Sequence, residues 1–577
     1  MREIFESLMV SYPHTPIILL SPLAEGADRL VARVALRLKK IQLIVPLPMR
    51  KELYEKDFTK RDSLAEFDKL LNQAEQSFVL PVLDDRPEEE ICEQCHSRDL
   101  QYEQVGAYIA RHSQIVIALW DGLKTELVGG TAKIIEFQRE GVPEPYAPHR
   151  TPLDVVESGP VYHIMTPRSR DKHQTAGQPF TLNLLYPKGY AADWSVYDRV
   201  FKTMDAFNED AIQQEQLLRE KLQDSMNDLF PEEEAKKIPS ELQTLREHYG
   251  VADRLAIYFQ GRTRSTLNRL FILISLAALC FGIYAHLLPG LGTALFFYPL
   301  IITIYLFIIA IAHLWVHHRA KRGKYQNKYQ DYRTLAEGMR VQFFWCLAGL
   351  SLKKFKHSVA DHYLRKQKSE LDWIRHAIRV WNIPEVADSN GRSAVDRERM
   401  TSLNLLLTHW IRRQASYFTQ TAKNNHEQLE SNERLSKVLL WFGVGVTIAL
   451  ALSLLASYLL GYEFHKSLPH DELLHGSLIL LMTLPPVGAA LLHNYTEKTA
   501  LSEHVKQYSR MSGLFSKAEK QLDKILHSNG ARDTAECLKD AEAARELIEE
   551  LGKEALVENG DWILLHRERP VDPPHAV

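Results

Sequence analysis

Cysteine is scarce: five among 577 residues are too few and too scattered for a disulfide framework. A surplus of one charge sign is also lacking. Seventy Lys and Arg against 73 Asp and Glu leave a formal net charge of −3, which argues against bulk nucleic-acid binding. Met1–Val10 has acidic residues and no apolar leader core, so the first long apolar run is expected to target the chain. The most telling absence is internal. Leu270–Leu288, Leu291–Val316, Val438–Leu460 and Leu473–Leu492 contain no Asp, Glu, Lys or Arg. Each has roughly the 20 residues that cross a hydrocarbon core of about 30 Å as a helix. A soluble helix seldom stays apolar on every face for that length. The chain therefore reads as an integral membrane protein with four spans in two pairs.

The flanking charges orient the spans. Arg262, Arg264 and Arg269 precede the first; Arg319, Lys321, Arg322 and Lys324 follow the second. The connector Leu288-Pro289-Gly290-Leu291-Gly292 is uncharged. Arg434 and Lys437 precede the third span, Lys498 follows the fourth, and the connector between them carries Glu463, Lys466, Asp471 and Glu472. Positive-inside logic puts both connectors outside, and the N-terminus, middle region and C-terminus in the cytoplasm. The rest of the chain, at 25% charged and 45% apolar overall, suits soluble domains attached to a small membrane portion.

Cys92-Glu93-Gln94-Cys95-His96 matches the c-type haem attachment pattern, but that chemistry belongs outside the cytoplasmic membrane. It is also half a zinc site with no second Cys/His pair nearby. An acidic surface loop is the plainer reading, and no metal or resident cofactor is expected.

Residues 1–170 alternate short apolar runs with amphipathic stretches, the pattern of a parallel sheet flanked by helices. Strands are expected at Pro16–Leu20, Gln42–Leu47, Phe78–Val82, Ile115–Trp120 and Val161–Met165. Helices are expected at Ile4–Tyr12, Gly26–Lys39, Leu64–Ala74 and Tyr102–Arg111. Ligands of such sheets bind beyond the carboxyl ends of the strands, and two strand ends carry suitable groups. After Leu20 come Ser21, Glu25, Gly26, Ala27, Asp28 and Arg29, where a helix opens and its free N–H groups favour an anion. Arg29 offers a charge-assisted contact to phosphate. After Leu119 come Trp120, Asp121 and Gly122, then Gly129, Gly130 and Thr131: glycines for close backbone approach, a hydroxyl, and an indole that can stack on a base. Both clusters also read as ordinary turn chemistry.

The segments SPLAEGADRLVARVA and HSQIVIALWDG…VGGTAKIIEF resemble the SLOG superfamily of Rossmann-like nucleotide-binding domains, over about residues 1–170. The superfamily includes lysine-decarboxylase-like phosphoribohydrolases and sensor domains of bacterial conflict systems. The resemblance implies a nucleotide ligand, such as an ADP-ribose derivative or a cyclic nucleotide. Two departures qualify it. The hydrolases carry a glutamate three residues after the threonine of the glycine turn, where this chain has Ile134; that favours a binder over a hydrolase. The family also opens with a strand ending in a Gly-His-Arg-like turn, and this chain begins in the following helix. The first strand is therefore expected to be missing, through a misplaced start or a truncation.

Gly141–Pro187 is proline-rich and reads as a linker around one strand, followed by helices over Val196–Phe230 and Glu241–Phe259. Lys353–Arg379 is basic, with Lys353, Lys354, Lys356, Arg365, Lys366, Lys368, Arg375 and Arg379 outweighing Asp361, Glu370 and Asp372. It suits either anionic lipid headgroups or a helix face paired with acids elsewhere. A repeat is visible: Ala256-Ile257-Tyr258-Phe259 echoes Ala415-Ser416-Tyr417-Phe418, with Tyr332 and Tyr508 similarly placed beyond each pair of spans.

Two spans followed by a helix of the Tyr332–Leu347 type resemble SLATT effector domains, over about residues 245–570. Leu551–Pro570, with Glu554, Ala555, Leu556, Glu558, Trp562 and Arg567, is similar to their closing stretch, and Trp562 is expected to be a packing anchor. Such domains are inferred to act as membrane effectors in bacterial defence against phage. In-span Ser275, Tyr284, His286, Thr303, Tyr305, Thr447, Ser453, Ser457 and Thr483 line a mildly polar pore in an oligomer, or else mediate helix contacts. Without a charge in any span, a pump or proton relay is not expected.

The expected architecture is an α/β Rossmann-like domain at 1–170, its first strand missing, and a connector at 171–244. An all-α membrane module follows as two-span units at 245–400 and 401–577. The expected function is a homo-oligomeric effector of the bacterial inner membrane, with both termini cytoplasmic. It answers a nucleotide second messenger, contacts membrane lipid (anionic lipid included), and binds no nucleic acid. The rivals are a membrane-tethered nucleotide-processing enzyme and a lipid- or partner-binding scaffold.

Overall fold

The structure is a computed structural model and describes residues 1–83, 91, 96–124, 128–151, 154–168, 175–189, 192–236, 238–291, 296–350, 358–363, 371–381, 401–460, 471–527 and 534–570. Cys92 and Cys95, the lysines of the basic stretch and its Arg365 fall outside these residues. Two compact units emerge. One comprises Met1–Val251, Leu335–Leu403 and Ile548–Val557; the other comprises Ala252–Thr334, Asn404–Leu547 and Glu558–Val577.

The first unit holds a small α/β region with two three-stranded sheets. Helix α1 (Arg2–Ser11) leads into β1 (Ile17–Leu20), then α2 (Ala27–Leu36), β2 (Ile41–Leu47), the short α3 (Lys51–Tyr54), α4 (Arg61–Leu71) and β3 (Gln76–Val79). After these come α5 (His96–His112), β4 (Val116–Trp120), α6 (Thr131–Glu140), β5 (Val161–Met165) and β6 (Leu182–Leu185). All five expected strands form, with ends displaced by up to three residues.

Strands β1, β2 and β3 are parallel, with Ile17 opposite Ile41 and Ile44 opposite Gln76. Both faces of β2 are covered. Leu43, Val45 and Leu47 bury against Phe67 and Leu70 of α4, while Ile44 joins Val105 and Tyr108 of α5. Hence the strand is a continuous apolar run from Leu43 to Leu47. The second sheet pairs β4 with β5 in parallel and β5 with β6 antiparallel. Among the described residues no backbone hydrogen bond joins β1 to β4, so the sheets remain separate.

The expected linker from Gly141 is instead part of this fold. Val142 and Ala147 bury against Ala107, Ala110 and Phe137, and the stretch supplies both β5 and β6. The prolines punctuate packed turns there rather than a tether. Residues 335–403 add two short helices, Val359–His362 and Asp372–Trp381. In the second, Trp373, Ile374 and Ile378 are buried. Arg375 and Arg379 are buried as well, and pair with Asp372 at 3.1 Å and Glu157 at 2.6 Å. Of the two readings of the basic stretch, these arginines fit the paired one; they are not turned to lipid.

The second unit is helical. Four helices are long and apolar enough to cross a membrane: Leu242–Leu287, Phe297–Leu347, Thr401–Ala456 and Leu473–Leu526. Their most apolar stretches have mean hydropathies of 2.2, 2.3, 2.4 and 1.6, yet at most 17% of any such stretch is buried. Phe281, Leu306, Phe307, Trp441, Leu452 and Leu459 stand exposed. Water would penalise so much bare apolar surface, and lipid would not. The helices support a multi-pass membrane protein.

Contacts within the spans are intimate. A Cβ on Gly443 would come within 2.5 Å of Pro486, and one on Gly282 within 2.7 Å of Leu480. The fourth span thus meets both the third and the first. Span hydroxyls turn back on their own helices: Ser275 to the Phe271 carbonyl, Thr447 to Gly443 and Thr483 to Ile479. The echoed aromatic residues make like contacts. Phe259 meets Tyr332 with ring centroids 5.7 Å apart, and Phe418 meets Tyr508 at the same 5.7 Å. Trp562 is buried edge-on against Tyr329 at 5.7 Å, the anchor its sequence position suggested.

Candidate functional site

The turn after β1 is held from beneath. Leu23 takes a positive φ of 58° and is fully buried, while its N–H donates to Ser21 Oγ at 3.3 Å. Its carbonyl accepts from Arg29 Nε at 2.9 Å. Arg29 Nη1 donates to the Ser63 carbonyl at 2.7 Å and to Ser63 Oγ at 2.8 Å, and the guanidinium lies 4.3 Å from the centre of the Phe58 ring. Ser63 in turn donates to Glu25. Only 2% exposed, Arg29 braces the turn and does not line the cavity beside β1 and β4, although its buried Nη2 has no hydrogen-bond partner among the described residues. Arg29 shares a helix face with Ala32 and Leu36, which pack into the core around β2 and α4.

Gly26, at φ 95°, caps α2, and Ala27 begins it. Gly130 caps α6, its carbonyl accepting from the N–H groups of Lys133 and Ile134, and Thr131 begins that helix. Gly129 has φ 74°, and a Cβ there would meet the backbone nitrogen of Glu103 at 3.0 Å. Close approach to α5 thus fixes this glycine.

A cleft of about 420 Å³ runs the length of β1 and β4. Ser21, Glu25, Ala27 and Asp28 line it from one turn, and Gly129 and Thr131 from the other. The two sequence motifs, about 100 residues apart, therefore share one cavity. Trp120, Asp121 and Gly122 do not line it. The Trp120 indole donates to the Leu123 carbonyl at 3.0 Å, Asp121 pairs with Arg168 at 2.5 Å, and Gly122 leaves room for Ala176. Those three build a turn of their own. Gly26 and Gly130 stand at the helix starts without lining the cavity wall.

Position 134 behaves as the sequence suggested. Ile134 packs on Gly106 and adds an apolar wall, while Glu136 pairs with Lys133 at 3.1 Å and does not line the cleft. No family model, no curated protein and no solved structure matches this chain. The site is thus argued on its geometry.

Sequence reading missed two cleft residues, Tyr54 and Tyr102. Tyr54 ends a four-residue helix after β2, a third strand end that the same rule covers. Its hydroxyl, on a residue 1% exposed, has no hydrogen-bond partner among the described residues. Desolvation, with Tyr102 and Asp28 adding to it, pushes the phenol well above its ordinary value. Asp28 is pushed up to about 6 by burial, against the pull of the Ala24 N–H it accepts and of Arg29. His112, also in the wall, is driven down to about 3 by burial and by Arg111 and Arg379. None of the described residues lining the cleft is a lysine or an arginine. Among the described residues no group of three metal-ligating side chains occurs. The arrangement can enclose a small polar organic ligand, with carboxyl and phenol groups beside two helix starts.

Proposed function

We propose that this protein is a nucleotide-responsive membrane effector. The observation that carries the reading is the shared cleft: turns about 100 residues apart, each opening a helix, converge on one cavity beside β1 and β4. Joined across that cavity, the strands would run β3-β2-β1-β4-β5-β6, a doubly wound Rossmann-like order that reverses between β1 and β4. Ligands of such sheets bind at the reversal.

On this reading the ligand is a nucleotide second messenger, such as an ADP-ribose derivative or a cyclic nucleotide. It must favour one conformation over another to act. The four apolar helices, grouped as two repeated pairs, then assemble into a homo-oligomer. That oligomer disturbs or permeabilises a bacterial inner membrane, with both termini in the cytoplasm, and anti-phage defence is the setting the two resemblances imply. Domain limits at 170, 244 and 400 belong to the same proposal. Ile134 in the wall supports binding over hydrolysis.

The test incubates the full chain in detergent with linear and cyclic nucleotides, ADP-ribose derivatives included, and follows retention and breakdown by chromatography. Retention of one intact compound, followed by ligand-dependent dye leakage from liposomes carrying the protein, is the expected result. Turnover would make the protein an enzyme, and sealed liposomes with ligand bound would remove the pore.

A further inference from the structure

The chemistry of the cleft says which part of a nucleotide it grips. Three observations combine. Asp28 lines the cavity and presents a carboxyl group that accepts from the Ala24 N–H. Tyr54 presents a buried hydroxyl with no partner among the described residues, and it lines the same cavity as Asp28. No lysine or arginine lines the cavity among the described residues, because Arg29 is committed to Leu23 and Ser63. A buried hydroxyl left unpaired is costly, and native structures seldom keep one that nothing ever satisfies.

We infer that Asp28 and Tyr54 read the vicinal 2′- and 3′-hydroxyls of a ribose, making the ligand a ribonucleotide with a free diol. The inference rests on the nucleotide reading above and narrows it. A carboxylate accepts from one hydroxyl while the phenol donates to or accepts from its neighbour, so two adjacent hydroxyls satisfy both groups. An ammonium group could only donate, leaving the Tyr54 proton unplaced. A phosphate beside Asp28 would meet like charge. Phosphate belongs instead at the start of α6, where Thr131 opens a helix of ten residues with no acid in its first turn. With no cationic side chain in the wall, a second or third phosphate gains little.

The test titrates the full chain in detergent with the four ribonucleoside 5′-monophosphates and with their 2′-deoxy and 3′-deoxy counterparts. At least one ribonucleotide should bind about tenfold or more tightly than either of its deoxy forms, because the site's polar groups go unpaired when a hydroxyl is missing. Tyr54→Phe and Asp28→Asn each preserve shape and should shrink that ratio to within about threefold of unity. Equal affinity for ribo and deoxy forms overturns the diol contact while leaving a nucleotide site. An undiminished ratio in both variants places the diol elsewhere. Binding of none of the four would overturn this inference, while the nucleotide reading would still be judged on retention of an ADP-ribose derivative or a cyclic nucleotide.

Discussion

Arg379 Nη2 lies 2.6 Å from Glu157 Oε1, across 222 residues of sequence, and the arginine is only 3% exposed. Asp361 sits 3.3 Å from the same guanidinium and also pairs with Arg111. Removing one partner of a buried pair strands the other charge away from water. Glu157→Ala should therefore destabilise the first unit by about 3 kcal/mol, the lower end for broken buried pairs. Urea unfolding followed by far-UV circular dichroism, wild type against variant, reads this. A loss well under 1 kcal/mol would mean that water reaches the pair.

The same pair predicts an acid response. Burial pulls Glu157 upward, but Arg379 and Arg375 outweigh it and hold the group at about 2; Asp361 is lowered likewise by Arg111 and Arg379. A depressed carboxyl stabilises fully above its unfolded value near 4 and loses that contribution as pH falls toward 2. The stability gap between wild type and Glu157→Gln should thus be constant above about pH 5 and shrink at roughly 1.4 kcal/mol per pH unit below about pH 4. His112→Gln tests a separate window. The folded value of His112 is about 3, so its neutral form stabilises above about pH 6.5 and is increasingly opposed as pH falls toward 3. A gap for Glu157→Gln that stays flat to pH 2 would deny that the arginines hold the carboxylate.

Much of this was legible in the sequence, for reasons that differ by element. The spans show because lipid admits no charge over about 20 residues, a constraint any stretch reveals by itself. Strand β2 shows because both its faces are covered, which forces an apolar run. The repeat was readable from Phe259, Tyr332, Phe418 and Tyr508, and these residues form two aromatic contacts of equal length. By contrast, β6 has only four residues, mostly half-exposed or exposed, and no run to detect. The sequence left Arg375 and Arg379 open between lipid and acidic partners, because Glu157 lies in an irregular segment more than 200 residues earlier. Tyr54 escaped because a four-residue helix has no periodicity, and only the fold brings it into the cavity that Asp28 lines.

Arg29 should prove structural. It holds the Leu23 and Ser63 carbonyls together from a buried position. Lysine cannot reproduce that planar fork. Arg29→Lys should cost about 2–3 kcal/mol, from lost charge-assisted bonds and unpaired carbonyls. Well below its melting temperature, the variant should still bind whatever nucleotide the wild type binds, within about threefold. Selective loss of phosphorylated ligands, with nucleosides unaffected, would return Arg29 to the phosphate site.

Asp28 predicts the opposite sign of pH dependence from Glu157. Its folded value, about 6, lies above the unfolded one, so the neutral acid is favoured in the fold and ionisation near neutrality costs stability. Asp28→Asn should leave stability unchanged below about pH 4 and raise it progressively from there to about pH 6, levelling at about 1–3 kcal/mol. The check is the melting temperature of both proteins across that range. An asparagine variant less stable at pH 7 would show that a charged Asp28 already has partners.

The apolar helices make a final, sharper prediction, because lipid and water punish a charge differently. Leu452 is 60% exposed in the helix Arg413–Leu460, within an 18-residue stretch of mean hydropathy 2.4. In water, lysine at so exposed a helical position would be nearly neutral. At the centre of a span it costs about 2.5–3.5 kcal/mol in insertion. Leu452→Lys should therefore lower the fraction of chain that resists alkaline extraction from membranes, while lysine at the exposed Leu435, outside the apolar run and beside Arg434, should not. Equal extraction of the two variants would mean that this helix face is covered by protein rather than by lipid. The exposed apolar surface would then be an interface between copies of the chain.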